Sequence, residues 1–311
     1  MIFTVIIPLY NKETYIKKAM ESVLAQTLSD FELFVVNDGS TDKSLEVADN
    51  FKDERIKIFT IPNQGPAAAR NLGIKYARGK LIAFLDADDT WEENHLETLR
   101  KLHHTYVDAG MYCTGYYKRY PKGIKKAAVF SGIPEGFAGM LPDYFKAACI
   151  DSPASASSVC IPAAVFDRLG RFDTTLHTGE DTDMWIRIAL ASKIAMHNIP
   201  TVNYNIHIQN SLSKSAFETD KLHLLSKYTA AEKKNPSLKK YLDLNRYAFA
   251  VGYTLSGKKK LRKEALKNIN YKSLNPKQRI LLRLPGFILK RLKSVQRYMA
   301  GRNRFLSVFK P

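Results

Sequence analysis

The sequence predicts an α/β fold in which a mostly parallel central sheet is flanked by helices and followed by a basic α-helical extension. Three observations carry this expectation. Short β-rich runs alternate with helical spacing over residues 1–90, the βαβα order that yields a parallel sheet with right-handed crossovers. Five apolar residues, Leu81-Ile82-Ala83-Phe84-Leu85, run directly into carboxylates at Asp86, Asp88 and Asp89; such a continuous apolar run fits a strand buried on both faces. The charge is also segregated. Residues 216–311 hold 24 Lys and Arg against 5 Asp and Glu, a surplus of +19, whereas residues 1–215 hold 24 against 25, a net −1. We therefore divide the chain by charge into an α/β domain, 1–215, and a basic helical extension, 216–311.

The first strand is expected over Phe3–Ile7, stopped by Pro8. Beyond it, Tyr10 offers a flat ring at the mouth of the sheet, and Asn11 can cap a helix over Tyr15–Leu24. The second strand, Glu32–Val36, leads into Asn37-Asp38-Gly39-Ser40-Thr41-Asp42. Gly39 permits a tight turn, and Thr41 or Asp42 can cap the next helix, Leu45–Phe51. Asp38, just outside the strand, could accept hydrogen bonds from a base or a sugar. The third strand, Ile56–Ile61, is followed by Asn63-Gln64-Gly65-Pro66, with Gly and Pro in the order that opens a helix, here Ala67–Tyr76. Arg70, one turn into that helix, points a planar cation towards the same edge.

The fourth strand, Leu81–Leu85, sets its acids at its carboxyl end, where open α/β sheets bind ligands. Crowded carboxylates repel one another unless cations or hydrogen-bond donors offset them. Asp86 and Asp88 suit a hard divalent ion that also takes oxygens from a diphosphate. In the competing reading, Asp88 to Thr90 cap a helix beginning at Trp91. A turn plus a cap competes in the same way at Asn11 and Asp42, and a surface salt bridge competes at Arg70.

Val5-Ile6-Ile7-Pro8-Leu9-Tyr10-Asn11, Asn37-Asp38-Gly39-Ser40-Thr41-Asp42, Asn63-Gln64-Gly65 with Ala69-Arg70-Asn71, and Leu85-Asp86-Ala87-Asp88-Asp89 occur in that order. Each is weak alone; together they resemble the family 2 glycosyltransferases, inverting enzymes of the GT-A fold that use nucleotide-sugar donors. The resemblance covers roughly residues 1–215. It implies that Pro8, Tyr10 and Asn11 line the donor site, with Tyr10 stacking on the base. Asp38 would hydrogen-bond the base or ribose, Arg70 would contact the base, and Asp86 would meet the ribose or the metal's water shell. Asp88 would ligate Mg²⁺ or Mn²⁺. A divalent cation offsets the charge of a departing diphosphate, and loss of that group leaves an oxocarbenium-like centre. No Gly-rich dinucleotide fingerprint or P-loop is present, which separates the chain from dehydrogenases and P-loop NTPases.

Further along, Asn94–Tyr106 reads as an amphipathic helix whose His95, His103 and His104 fit a solvated face better than a metal site. Ala109–Tyr120 is an aromatic strand with Tyr112, Tyr116, Tyr117 and Tyr120, residues that fit a core or a sugar-stacking surface. Gly132 to Pro153 reads as loop and helix facing the acceptor. A strand at Ser157–Ile161 and a helix at Pro162–Leu169 precede Gly179-Glu180-Asp181-Thr182-Asp183-Met184-Trp185. There, Thr178 or Gly179 begins a helix with acids in its first turn, where the helix dipole favours them. The resemblance makes Asp181 the general base and Glu180 its neighbour and acceptor contact; Asp183 stays structural or unassigned. Thr201–His207 is a closing strand, and the resemblance makes His207 a candidate ligand of the diphosphate or metal. Many relatives carry Arg where this chain has Asn205.

The extension reads as helices over Phe217–Lys233, Leu238–Leu255, Lys259–Lys267 and from Lys277, where Pro285-Gly286 implies two short helices rather than one. Its interleaved basic and apolar residues suit an anionic membrane surface; packing on the α/β domain is the alternative. No nucleic-acid fold accompanies the charge, so a nucleic-acid partner is not expected. Cys113, Cys149 and Cys160 have no metal or redox spacing, and the amino terminus resembles a strand rather than a signal peptide. These features place the protein in the cytoplasm, peripheral to the inner membrane. The expected activity is inverting transfer from a nucleotide sugar, with UDP the expected nucleotide, to a glycan or lipid-linked acceptor in surface polysaccharide or glycoconjugate synthesis. A non-catalytic GT-A-like binding module and a nucleotidyltransferase remain as alternatives.

Overall fold

The structure, a computed structural model, describes residues 1–206, 208 and 218–300. The amino-terminal half interleaves β1 (Phe3–Leu9), α1 (Ile16–Leu24), β2 (Phe31–Asp38), α2 (Ser44–Asp49), β3 (Ile56–Ile61), α3 (Pro66–Tyr76) and β4 (Leu81–Phe84). There follow β5 (Thr90–Trp91), α4 (His95–Thr105), β6 (Ala109–Arg119), β7 (Lys125–Ala127), β8 (Ala138–Met140), α5 (Tyr144–Ala147), β9 (Val159–Pro162), α6 (Ala163–Leu169), α7 (Glu180–Ala191) and β10 (Lys193–Asn205). The extension forms α8 (Glu218–Lys227), α9 (Thr229–Lys234), α10 (Pro236–Leu255), α11 (Lys259–Lys267), α12 (Pro276–Arg283) and α13 (Gly286–Ala300).

One sheet runs in the order β3-β2-β1-β4-β9-β6-β10-β5, with β7 added to β6 and β8 to β10. Its first four strands are parallel, as the βαβα order requires. Beyond β4 the sheet is mixed: β9 is antiparallel to β4 and β6, while β10 runs parallel to β6. The sheet is wholly parallel only over β1 to β4, in the amino-terminal half. Phe3, Val5, Ile6 and Ile7 of β1 are fully buried, each worth roughly 1.5–3 kcal/mol of apolar transfer for a side chain of that size. Helix α3 lies close over β1 because Gly73 has no side chain; a Cβ there would fall 2.7 Å from Ile6 Cγ2.

Several sequence expectations change. Pro8 does not stop β1, which continues to Leu9. Pairing with β4 ends at Ile6, so beyond that point β1 has a sheet partner only on the β2 side, and a residue without an N–H is tolerated there. Asn11 caps no helix; it adopts φ 50° and bonds across to Thr41. No helix begins at Trp91, because Thr90 and Trp91 pair antiparallel with β10 and α4 starts at His95. His95 is fully buried rather than solvated, stacked 4.3 Å from Trp91 with Nδ1 bonded to Thr201 Oγ1 at 2.7 Å. Burial pushes it down to about 3, so it is a neutral core residue.

The extension is not a separate core. Leu224, Leu225, Tyr228, Leu238, Tyr241 and Leu242 bury into the same apolar cluster as β1 and β4. A smaller cluster begins at Leu244 and takes in Leu274 and Leu282. The charge boundary at 215/216 thus marks composition and not packing. The expected helix over 217–233 is two helices, α8 and α9, meeting at Tyr228, whose hydroxyl donates to Asp183 Oδ1 at 2.8 Å. Two short helices do replace one from 276 onward, split around Pro285. Among the described residues, no helix is long and apolar enough to cross a membrane.

Candidate active site

The carboxyl ends of β1, β2 and β4 and the start of α7 meet at one edge of the sheet. Gly65, at φ 88°, turns the chain from β3 into α3 with Pro66 in the first helical position. Asp38 at the end of β2 holds this turn, accepting the Gln64 and Gly65 N–H groups at 2.8 Å each. Its carboxylate is buried, and burial raises its pKa. Asp38 therefore shapes the site first as a loop clamp. Pro8 is half-buried at the end of β1 and Tyr10 is 43% exposed, a ring open to a stacking partner.

Arg70, one turn into α3, is buried and bridges two segments. Its Nη2 donates to Asp86 Oδ1 at 2.7 Å and its Nη1 to Glu180 Oε1 at 2.6 Å. Those two acids are 94 residues apart in the chain, and the guanidinium joins them in the forked geometry that suits carboxylates. Arg70 is no surface salt bridge. Burial opposes its charge, but Asp86 and then Glu180 and Asp181 hold it firmly cationic. Burial also pushes Glu180 up to about 7, with Arg70 pulling the other way and Asp181 adding to the rise.

The other aspartates at the end of β4 are offset individually. Asp88 Oδ2 lies 2.9 Å from Lys12 Nζ, both side chains being mostly buried. Burial and then Asp86 raise the pKa of Asp88, and Lys12 opposes them. Asp89 is buried, with Oδ2 accepting from Ser157 Oγ at 2.7 Å and Oδ1 from the Asn205 N–H at 2.9 Å. Burial, then Asp88 and Asp86, push its pKa far up. The Asn205 amide also donates to the Asp88 carbonyl, so Asn205 fastens this acidic turn while Lys12 supplies a cation. Lys12, Asp89 and Ser157 were not singled out by sequence reasoning. Lys12 follows Asn11 directly and Asp89 closes the acidic motif, but nothing local in the sequence marks Ser157.

The fit to a divalent cation rests on donor chemistry. The end of β4 offers hard carboxylate oxygens, and burial followed by the neighbouring carboxylates raises the pKa values of Asp88 and Asp89. Among the described residues no group of three or more His, Cys, Asp or Glu converges on one point. A Mg²⁺-type ion held by one or two carboxylates plus substrate phosphates needs no such cage. Asp88 and Asp86 fit that mode, with Lys12 as the cation to be displaced. His207 lies outside the described residues.

Asp181 opens α7 beside Glu180, behind Gly179 at φ 84°, in the first turn where the dipole favours carboxylates. Asp183, two residues on, is fully buried and structural: it pairs with Arg187 at 2.8 Å and with Lys227 at 2.6 Å, tying α7 to α8. Asp181 instead faces a cleft of about 350 Å³ whose walls include Tyr116, Ser152, Tyr204, Tyr241 and Asn245. Sequence reasoning expected the segment 132–153 to face an acceptor; Ala148, Cys149, Ile150 and Ser152 of that segment line this cleft. The contribution of α10 was not foreseen. The site thus joins an acidic corner at the end of β4 to a polar, aromatic cleft, with the Asp181 carboxylate lining the cleft.

The sequence profile of glycosyl transferase family 2 matches residues 4–155. An uncharacterized glycosyltransferase of Rickettsia conorii is 37% identical over 195 residues, covering 61% of this chain and 30% of the relative. A minor teichoic acid biosynthesis protein of Bacillus subtilis, GgaA, is 42% identical over 105 residues, covering 31% of this chain and 24% of the relative. The chain thus spans about a third or less of the length of these relatives. Among solved structures, S. aureus TarS 1–349 in complex with UDP-GlcNAc superposes with a TM-score of 0.71 at 17% identity, covering 99% of this chain and 93% of TarS 1–349. At that identity the likeness establishes the fold, a GT-A-type α/β architecture.

Proposed function

We propose that this chain, whose residues 4–155 match the glycosyl transferase family 2 profile, transfers a sugar from a UDP-linked donor to an acceptor hydroxyl, inverting the anomeric carbon. The single observation that carries the proposal is the junction built by Arg70. It ties the acidic end of β4 to Glu180, beside Asp181 at the mouth of the cleft. UDP is favoured because a structural neighbour holds UDP-GlcNAc.

In this reaction the acceptor oxygen bonds to the anomeric carbon as the bond from that carbon to the phosphate oxygen breaks, and UDP departs with the electron pair. The acceptor proton passes to the Asp181 carboxylate. Tyr10 supplies a stacking face for the base, and Asp38 keeps the β3–α3 turn in place beneath it. Arg70 holds Glu180 and Asp86 in fixed positions, leaving Asp181 as the carboxylate at the cleft. A bound Mg²⁺ or Mn²⁺ ion, held by Asp88 with Asp86 nearby, would offset the growing charge of the diphosphate. Lys12 carries a cation to the same point. Asp88→Asn should therefore remove the Mn²⁺ dependence of UDP binding measured by calorimetry; unchanged dependence would move the metal elsewhere.

The acceptor side fits surface-glycan assembly, the setting suggested by the GgaA relative, with a glycan or lipid-linked acceptor presented at the cytoplasmic face of a membrane. Helix α13 supports that location. Phe287 is 73% exposed, Val295 48% and Tyr298 61%, on one stripe with Arg291 between them, while Leu289 packs inward. A basic helix with an exposed apolar stripe lies in an anionic interface. The deciding experiment incubates the protein with UDP-sugars and Mn²⁺ and identifies the leaving group. Release of UDP supports transfer, release of pyrophosphate in a parallel incubation with UTP and a sugar 1-phosphate indicates a nucleotidyltransferase, and binding without either release indicates a non-catalytic module.

A further inference from the structure

We infer that α10 of the basic extension is the acceptor wall of this site, and that it selects an uncharged sugar held between tyrosine rings. The inference rests on the proposed transfer and names its acceptor class. The cleft beside Asp181 is bounded on one side by Tyr116 and Tyr204 of the sheet and on the other by Tyr241, Asn245 and Ala248 of α10. Tyr204 connects it to the donor corner: its phenol is raised by burial and then by Asp89, Asp86, Asp181 and Asp88, so all four carboxylates act on one ring. Burial followed by Asp181 likewise raises Tyr241 across the cleft.

Charge decides the acceptor class. The extension carries all of the chain's positive surplus, yet no Lys or Arg is among the described residues lining the cleft. Two of the three cations of α10 are paired with acids of the extension, and Lys240 is exposed and outside the cleft lining. Arg246 is buried between Glu232 and Asp243, at 2.7 and 3.0 Å, and Lys239 also pairs with Asp243. A phosphate or carboxylate on the acceptor would meet Asp181 in the cleft with no cation among the described lining residues to pair with it, and an unpaired charge in such a place is costly. Tyrosine faces and neutral polar groups instead suit the apolar ring faces and hydroxyls of a sugar. A volume of about 350 Å³ is at the small end of ligand pockets, which favours recognition of the terminal sugar alone.

The test uses the full chain with UDP present. Saturation-transfer NMR and titration calorimetry compare methyl β-glucoside and methyl N-acetyl-β-glucosaminide with methyl glucuronide and glycerol 3-phosphate. Neutral probes should bind and anionic ones should not. Ala248 is exposed on α10, so Ala248→Trp crowds the cleft with little demand on the fold. It should weaken neutral-probe binding by about tenfold or more with UDP affinity unchanged, and Asn245→Leu should act in the same direction. Silence of every neutral probe, binding of the anionic probes alone, or neutral-probe affinity unchanged in both variants would overturn the inference. Absence of UDP binding to the unaltered chain would instead overturn the donor reading, and the inference would fall with it.

Discussion

Arg70 is the residue on which the site's electrostatics turn. Buried between Asp86 and Glu180, it lets the donor-side aspartate and the opening of α7 approach each other without repulsion. Glu180 records the balance. Its pKa is pushed up to about 7 by burial, against about 4.3 for an unperturbed glutamate, so the folded protein binds this proton more tightly than the unfolded chain. The resulting stabilisation is full below about pH 4 and is lost as pH rises through 7. The stability difference between the wild type and Glu180→Gln should therefore shift by up to about 3 kcal/mol across that window, measured by denaturant titration at several pH values. A difference constant with pH would mean that Arg70 holds Glu180 ionised throughout. Asp181, next to it and lining the cleft, is left for chemistry, whereas Asp183 is consumed by Arg187, Lys227 and Tyr228. The three acids within four positions separate into a charge partner of Arg70, a carboxylate lining the cleft and a structural anchor.

At the scale of elements, α10 holds the extension together and faces the cleft. Arg246 bonds Glu232 of α9 through both terminal nitrogens, and Asp243 also takes the Ser273 hydroxyl at 2.8 Å. Removing one partner of such a buried pair leaves the others uncompensated, at a cost of about 3–5 kcal/mol. Arg246→Met should lower the denaturation midpoint accordingly; a loss below about 1 kcal/mol would show that water screens the network. Elements of this kind explain what could be read from the sequence. Strands β1, β2 and β4 were legible because their apolar runs are buried and bounded by turns, the half-buried β3 because its β-rich run is bounded by a turn, and the acidic end of β4 because its motif is contiguous. Strand β5 was not, since its two residues are a strand only by virtue of pairing with β10. Pro8 misled because the consequence of a missing N–H depends on which neighbouring strand has already ended. The Arg70–Glu180 contact and the α10 wall join segments far apart in sequence, with no local signal, and nothing local marks Lys12 as the partner of Asp88.

At the scale of the whole molecule, the extension divides into a part that completes the fold and a part that remains available. Helices α8 to α10 share the core with the sheet, while α13 presents Phe287, Val295 and Tyr298 to solvent. Phe287→Ser with Val295→Ser should reduce binding to anionic vesicles in a flotation assay while leaving the melting temperature within a degree or two, since exposed positions contribute little stability. Vesicle binding unchanged by these substitutions, or absent from the unaltered protein at every salt concentration, would remove the membrane from the account. The core claim, that one sheet edge binds a nucleotide sugar while Asp181 takes the acceptor's proton, is tested most directly by Asp181→Asn. The variant keeps the shape of the side chain but cannot accept that proton. Calorimetry should show wild-type affinity for UDP, and turnover at saturating donor should fall by about 10²–10⁴-fold. Turnover near wild type, or a loss confined to UDP binding, would contradict it.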